Sequence, residues 1–245
     1  MLMYKLRSRF SKNGDIIFIS HLDVMRVFER ALRRANIPIS YTKGFNPHPI
    51  MAFATALGLG VSSDAEYIDI QLDEKIELYD FIKQLNNALP KGLTIIESSY
   101  ISSKEESLMS VIKRSVYLVN FKLKDAVSKE DIINELNKFK NLEDIPLEKE
   151  KKKKGKRKEK TIQIVNIRPN IYGIEVFSLE ERNAIIKMDL AAGSVANLKP
   201  EIVISKINEH TRLDIELDTI RIHRIKLFKE VNGSFVTPLE ELKTL

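Results

Sequence analysis

The heptapeptide Glu66-Tyr67-Ile68-Asp69-Ile70-Gln71-Leu72 alternates polar and apolar side chains. Because successive side chains of a β-strand point to opposite faces, this alternation predicts a strand. Apolar residues then recur at helical spacing from Ile76 to Leu89, and Pro90-Lys91-Gly92 ends the predicted helix. Leu93 to Ile101 is a further predicted strand. A strand, a helix and a strand in succession indicate an α+β fold.

The residues before this heptapeptide predict another strand and helix. In chain order, the predicted elements are the strand Tyr4–Phe10, its continuation Ile16–Ile19, a helix from about His21 to Ala35, and the short strand Ile37–Tyr41. Ser20 is the predicted N-cap of the helix, and Asp23 stands three residues later, where a capping box has Glu or Gln. The strand Ile37–Tyr41 leads into a loop, Gly44-Phe45-Asn46-Pro47-His48-Pro49.

The second half of the chain repeats this order of elements. The predicted elements are the strand Arg114–Leu123, a helix capped by Ser128 and Asp131 with Ile132, Ile133, Leu136 and Phe139 on its inner face, strands near Ile145–Glu148, Thr161–Ile167, Gly173–Phe177 and Ala184–Leu190, a helix from Pro200 to about Thr211, and the strand Ile220–Phe228. Two successive βαββαβ patterns predict two ferredoxin-like units with antiparallel sheets. Their predicted boundaries are 1–106 and 107–245, joined near Ser102–Ser110.

Positive charge is concentrated in two places. The net charge of the 245 residues is +6. Residues 149–160 hold nine Lys or Arg and two Glu, and residues 1–50 hold nine basic and three acidic residues. Residues 149–160 lie between two predicted strands of the second unit, so they are predicted to be a hairpin excursion that stays disordered until it meets an anion. Such sorting favours a polyanionic partner.

The basic residues of the first half follow the predicted helix and its loop. Arg26, Arg30 and Arg34 are spaced i, i+4 and i+8, with Arg33 beside them, and only Glu29 offers a local ion pair. Because arginine binds two phosphate oxygens at once, this row of arginines is a candidate phosphate-binding surface. The alternative is that the row is only a solvated face of the helix. The predicted nucleic-acid contacts are Arg26, Arg30, Arg33, Arg34, Lys43, Phe45, Asn46, His48, Lys151, Lys152, Lys153, Lys154, Lys156, Arg157 and Lys158.

Two of the four histidines are candidates for chemistry. His21 opens the predicted helix, where the helix dipole disfavours its protonated form, and His48 lies between two prolines that restrict the loop. Two imidazoles brought together near arginines can act as general base and general acid in RNA cleavage. The structural alternative for His21 is that it supports the helix cap. Tyr41 and Phe45 are candidates for stacking on a base, and the alternative is that they belong to the core.

The composition excludes several classes of function. The chain has no cysteine, which excludes disulfides, thiol catalysis and an iron–sulfur cluster held by cysteines of this chain. No metal site is predicted, because without cysteine a zinc ion would need His, Asp and Glu ligands, and the four histidines are scattered along the chain. No apolar run is long enough to span a bilayer, and residues 1–10 do not form the apolar block of a signal peptide. A cytoplasmic protein without membrane contact is expected.

These motifs resemble a known family. Phe18-Ile19-Ser20-His21-Leu22-Asp23, Arg30-Ala31-Leu32-Arg33-Arg34-Ala35, the Gly44–Pro49 loop, and the lysine run leading into Ile167-Arg168-Pro169 are similar to the uncharacterised bacterial radical-SAM-linked proteins. The resemblance covers essentially the whole chain. It implies a radical SAM partner enzyme that carries an iron–sulfur cluster and S-adenosylmethionine, while this chain binds no cofactor. The first half also resembles, more weakly, the RNA-binding repeats of CRISPR-associated RAMP endonucleases.

Three functions are therefore consistent with the sequence. The first is a non-catalytic module that presents tRNA or rRNA to the radical SAM partner. The second is metal-independent RNA cleavage of the RAMP type by His21 and His48. The third is a protein-only scaffold whose basic patches meet an acidic face of the partner. The first is the leading hypothesis.

Overall fold

The computed structural model of the chain describes residues 4–152 and 160–240. Its strands are β1 (Tyr4–Lys12), β2 (Met51–Phe53), β3 (Ser62–Leu72), β4 (Leu93–Ile101), β5 (Ile112–Leu123), β6 (Pro146–Lys152), β7 (Lys160–Asn166), β8 (Ile171–Glu180), β9 (Asn183–Ala191), β10 (Ile215–Val231) and β11 (Ser234–Val236). Its α-helices are α1 (His21–Arg34), α2 (Leu78–Ala88), α3 (Leu108–Val111), α4 (Lys129–Lys140) and α5 (Pro200–His210). Two 3-10 helices cover Gly14–Phe18 and Arg168–Asn170.

Nine of these strands form one large, mostly antiparallel sheet, and β6 and β7 form a separate two-stranded sheet. The described residues divide into two compact units. Unit 1 comprises 4–117, 192–196 and 221–240, and unit 2 comprises the described residues of 118–191 and 197–220. Strands β5 and β10 therefore contribute residues to both units.

In unit 1 the sheet order is β4-β1-β3-β10, and β2 pairs with β3. The pairs of β1 with β3 and of β1 with β4 are antiparallel, whereas β10 pairs with β3 in parallel at His223 and Ser62. Helices α1 and α2 cover the core through Phe28 and Phe81, both fully buried. The ring of Phe28 packs edge-on against Phe10 at 4.9 Å and against Phe53 at 5.5 Å between centroids. This core fixes α1 on β1 and β2.

In unit 2 the sheet order is β10-β5-β9-β8, and β8 and β9 form an antiparallel hairpin. Helix α4 packs on β8, and its residues Leu136 and Phe139 are buried. Strands β6 and β7 pair antiparallel from Pro146 and Asn166 to Lys152 and Lys160. Residues 149–152 and 160 of the lysine run thus lie within these paired strands.

Several local predictions were wrong. Ile16–Ile19 is not a strand, because Gly14–Phe18 forms a 3-10 helix after Gly14 adopts a φ of +63°. Ile37–Tyr41 is not a strand either; only Ile39 and Tyr41 make isolated bridges. Ile133 is 39% exposed rather than buried on the inner face of α4. The mixed α+β class is confirmed, and the two ferredoxin-like units stay a prediction.

Candidate nucleic-acid interface

Helix α1 begins at a capped N-terminus. The amide of Asp23 donates to Ser20 Oγ at 3.2 Å, and Ser20 Oγ donates to Asp23 Oδ2 at 2.7 Å. The hydrogen bond from Ser20 and the ion pair with Arg26 lower the pKa of Asp23. The predicted cap is therefore confirmed, and it fixes where the arginines that follow lie along the helix.

The four arginines of α1 are all exposed. Arg26 pairs with Asp23 at 3.0 Å, Arg33 pairs with Glu29 at 3.5 Å, and Arg34 donates to the carbonyl of Ala88 at 2.6 Å. Arg30 has no hydrogen bond or ion pair to the described residues. The prediction that only Glu29 offers a local pair was wrong, because Asp23 lies one turn before Arg26. Exposed pairs of this kind contribute little to stability, so the arginines remain able to exchange them for phosphate.

The Gly44–Pro49 loop is the tip of a closed hairpin that follows the C-terminus of α1. The amide of Thr42 donates to the carbonyl of His48 at 2.9 Å, and the amide of His48 donates to Thr42 Oγ1 at 2.9 Å. At the base, the amide of Ile50 donates to the carbonyl of Ser40 at 2.8 Å. The loop is therefore held by backbone hydrogen bonds as well as by its prolines, and Gly44 supplies the positive φ of the turn, +132°.

The hairpin exposes its side chains. Phe45 is fully exposed, and Lys43, Asn46 and His48 are exposed beside it. Tyr41 is 42% exposed, so neither aromatic residue is part of the core. A solvent-facing phenyl ring at the tip of a closed hairpin presents a stacking surface.

His21 lies in other surroundings. Its ring packs edge-on against Phe53 at 5.3 Å, and it lines a cavity of about 10 Å³ with Lys12, Thr55 and Glu66. Burial lowers the pKa of His21, Glu66 opposes the shift and Lys12 adds to it. A cavity of this size has room for about one water molecule, not for a nucleobase. No hydrogen bond or ring contact joins His21 to His48 in the described structure.

Sequence reasoning missed a buried charge cluster in unit 1. Arg224 donates to both oxygens of Glu66, at 2.9 and 3.1 Å, and to Tyr117 Oη and Thr55 Oγ1. Burial opposes the charge of Arg224, but Glu66 and Tyr117 raise its pKa overall. Glu66 was interpreted only as a polar residue of an alternating strand; the distant Arg224 that pairs with it gave no local signal.

A second buried pair lies along β1 and β3. Arg7 binds Asp69 in a bidentate way, with Nε and Nη2 at 2.7 and 3.0 Å from the two carboxylate oxygens. Lys5 also contacts Asp69, at 3.1 Å. Arg7 also lies 3.8 Å from Glu105, so both of these cations of residues 1–50 are paired inside the unit. The basic character of that segment therefore resides on α1 and the hairpin.

His223, to which the sequence assigned nothing beyond a strand, connects β10 to β3. Ser62 Oγ and His223 Nδ1 share a hydrogen bond of 2.8 Å, and His223 Nε2 lies 3.1 Å from Asp64 Oδ2. Asn13 Nδ2 donates to the other oxygen of Asp64 at 3.0 Å. The chain of contacts ties three elements together at this end of the sheet.

The lysine run is described only at its two ends. Lys151 and Lys152 belong to β6 and pair through their backbone with Thr161 and Lys160. The other predicted contacts of the run, Lys153, Lys154, Lys156, Arg157 and Lys158, lie outside the described residues, as does the prediction of disorder.

Within 4–152 and 160–240 there is no group of three or more acidic or histidine side chains placed to hold a metal ion. Nor does any helix of these ranges have the length and apolarity to cross a membrane.

The chain is similar to known proteins in sequence and in fold. Residues 5–200 match a family described as "Uncharacterized protein conserved in bacteria (DUF2344)". No curated protein matches the sequence significantly. The fold is similar to a Cbf5-Nop10-Gar1 complex, with a TM-score of 0.48, 13% identity, and coverage of 92% of this chain and 50% of that chain.

Two other solved structures are similar to the same extent. One is an H/ACA RNP bound to a substrate RNA containing 2'-deoxyuridine, with a TM-score of 0.44, 13% identity, and coverage of 90% of this chain and 46% of that one. The other is the archaeal box H/ACA sRNP Nop10-Cbf5 complex, with a TM-score of 0.44, 11% identity, and coverage of 89% and 46%. The chain thus spans about half the length of each matched chain.

Proposed function

We propose that this chain, which belongs to the DUF2344 family of proteins conserved in bacteria, binds tRNA or rRNA and presents it to a radical SAM partner enzyme. One observation carries the RNA-binding part. Four exposed arginines on α1 lead directly into a closed hairpin whose tip exposes Phe45 and Lys43.

The arginines supply the phosphate contacts of this interface. A guanidinium binds two phosphate oxygens at once, which fixes the position of the backbone as well as neutralising it. Arg30 has no intramolecular ion pair among the described residues, and the carboxylates that pair with Arg26 and Arg33 are half-buried, with 47% and 32% of their side chains exposed. Exchanging such a pair for an RNA phosphate therefore costs little.

The hairpin supplies contact with bases. Every base has an aromatic face, so a phenyl ring stacks on unpaired nucleotides of any sequence. The closed hairpin carries Phe45 at its tip, facing solvent, and Asn46 and His48 are exposed beside it for hydrogen bonds. The lysine run joining β6 and β7 adds phosphate contacts without sequence preference.

The partner belongs to the proposal as well. A radical SAM enzyme with an iron–sulfur cluster and S-adenosylmethionine follows from the resemblance of the sequence motifs. This chain has no cysteine for such a cluster, so the role proposed for it is accessory and not catalytic. Two ferredoxin-like units are proposed as the scaffold; the orders β4-β1-β3 and β5-β9-β8 support them.

Titration with bulk tRNA and rRNA tests the RNA-binding proposal. The four arginines, with one phosphate contact each, predict an affinity that falls at least roughly 50- to 150-fold between about 50 and about 200 mM salt, because binding releases counterions, and the lysine run adds to this fall. Fluorescence anisotropy at both salt concentrations measures this. No binding at either concentration would refute the proposal.

A second measurement, the nucleic-acid content of the purified protein, distinguishes RNA binding from the protein-only scaffold. Protein purified gently at low salt is expected to carry RNA, seen as excess absorbance at 260 nm that ribonuclease removes. Protein that is free of nucleic acid and also fails the titration, yet binds the partner enzyme, would favour the protein-only scaffold.

A further inference from the structure

Unit 2 contains a groove between helix α4 and strand β8. The cavity has a volume of about 220 Å³ and is lined by Ile133, Leu136, Asn137 and Lys140 of α4 and by Ile174, Glu175 and Val176 of β8. Leu136 and Ile174 form its buried floor, each 2% exposed, while Ile133 is 39% exposed at its rim. An apolar cavity of about 150 Å³ holds a benzene molecule, so this one has room for a leucine or phenylalanine side chain.

Strand β8 is an edge strand. It pairs with β9 on one side, and no strand of the described ranges pairs with its other side. Register shifts lie between Ile171 and Gly173 and between Val176 and Ser178. Between them, Gly173, Ile174, Glu175 and Val176 keep one register with β9. Every second residue of that stretch turns its backbone donor and acceptor away from β9, toward the free edge. An unpaired edge of this kind is a template for another strand.

One end of the groove is basic. Arg168 donates to the carbonyls of Lys140 and Ile171, each at 2.8 Å, so its guanidinium lies beside the last turn of α4. Neither Arg168 nor Lys140 has a carboxylate partner in the part of the chain that the structure describes. Glu175 does not compensate them, because Lys187 Nζ holds its carboxylate at 2.7 Å.

We propose that this groove binds an extended segment of a protein partner by strand addition to β8. The segment places one bulky apolar side chain in the cavity and an acidic side chain, two residues away, on Lys140. Lys140 stands one helical turn beyond Leu136, about 6 Å along the helix axis. Residues on the same face of a strand are about 6.8 Å apart, so the spacing apolar–x–acidic fits.

A second copy of this chain fits less well. If β8 paired with β8 of another molecule, the residues on the face of Ile174 and Val176 would enter the groove. The register shifts on either side put Ile171 and Leu179 on that face as well. None of these four residues is acidic, so Lys140 would stay without a partner. The charge of the groove therefore favours a segment from a different protein, and this inference does not depend on RNA binding.

Selection of a displayed library of random nonapeptides against the full chain tests the proposal. Enriched peptides are expected to share the apolar–x–acidic pattern. Ile133→Asp, which puts a carboxylate on the exposed rim, is expected to lower the affinity for synthetic copies of the enriched peptides at least tenfold. Lys140→Glu is expected to shift the enriched pattern to apolar–x–basic. Lys138→Glu is the matched control, since Lys138 pairs with Glu135 away from the groove and its replacement should change nothing.

Three results would overturn the proposal. The first is a library without enrichment. The second is a set of enriched peptides that bind Ile133→Asp and Lys140→Glu as tightly as the wild type. The third is a dimer in sedimentation that Ile133→Asp dissociates, which would make a second copy the occupant.

Discussion

At the scale of single residues, the least predictable feature is the pair of Arg224 and Glu66. Each side chain is about 5% exposed. Besides its ion pair with Glu66, Arg224 donates hydrogen bonds to the hydroxyl groups of Tyr117 and Thr55. A buried pair contributes little net stability, because desolvation offsets the attraction, but breaking it leaves an uncompensated charge. The pair therefore specifies how β3 and β10 meet more than it stabilises the unit.

Replacing Glu66 by Gln is expected to destabilise the protein by about 3–5 kcal/mol, because the buried guanidinium loses its counter-charge. Adding Arg224→Met, which removes that charge, is expected to restore most of the loss. Urea unfolding monitored by circular dichroism measures both. Glu175→Gln breaks an exposed pair and serves as the control, with an expected change of less than about 1 kcal/mol. A double variant no more stable than Glu66→Gln would contradict this account.

At the scale of elements, the sequence predicted the features that neighbouring residues determine and missed those that depend on tertiary contacts. The cap at Ser20 and the cap at Ser128 were both predicted, because an N-cap is decided within four residues. The strand β2, only Met51–Phe53, was not predicted, since its pairing with β3 is a tertiary contact. The 3-10 helix at Gly14–Phe18 was missed for a similar reason: the carbonyls of Ile17 and Ile19 accept from the buried Lys12, which local apolar spacing does not reveal.

The candidate interface divides in the same way. Its arginines and its loop were predicted from spacing and from proline chemistry. That the loop is a closed hairpin with Phe45 outside could not be predicted, because the bonds between Thr42 and His48 depend on backbone geometry. Nor could the sequence show that His21 is packed against Phe53 rather than facing the loop.

The hairpin carries a prediction of its own. Phe45→Ala is expected to weaken RNA binding by about 1–3 kcal/mol, the usual contribution of one stacked base. The unfolding midpoint should not change, since the ring is fully exposed. Tyr79→Ala, which removes an aromatic ring that is 73% exposed on α2, is the matched control and should leave affinity unchanged. Equal losses from both variants, or none from Phe45→Ala, would remove the hairpin from the interface.

At the scale of the whole molecule, the distribution of charge matters more than its sum. The net charge is +6, yet residues 149–160 alone hold nine basic and two acidic side chains. Lys5 and Arg7 share the carboxylate of Asp69, and Arg7 also lies 3.8 Å from Glu105. Among the basic residues of 1–50, the exposed ones therefore lie on α1 and the hairpin. If both regions contact one RNA at the same time, their contributions to the salt dependence of binding must add.

This additivity is the last prediction. Arg26→Gln combined with Arg30→Gln removes two phosphate contacts, which should reduce the slope of log affinity against log salt by roughly 1.4–1.8. Deleting residues 151–158 should reduce it further, and the combined variant should show the sum. The control is Lys83→Gln with Lys91→Gln, the same change of charge within the acidic stretch 51–100. A combined variant no weaker than the deletion alone would mean that the arginines of α1 do not contact the RNA that the lysine run binds. The basic residues would then define two independent surfaces rather than one interface.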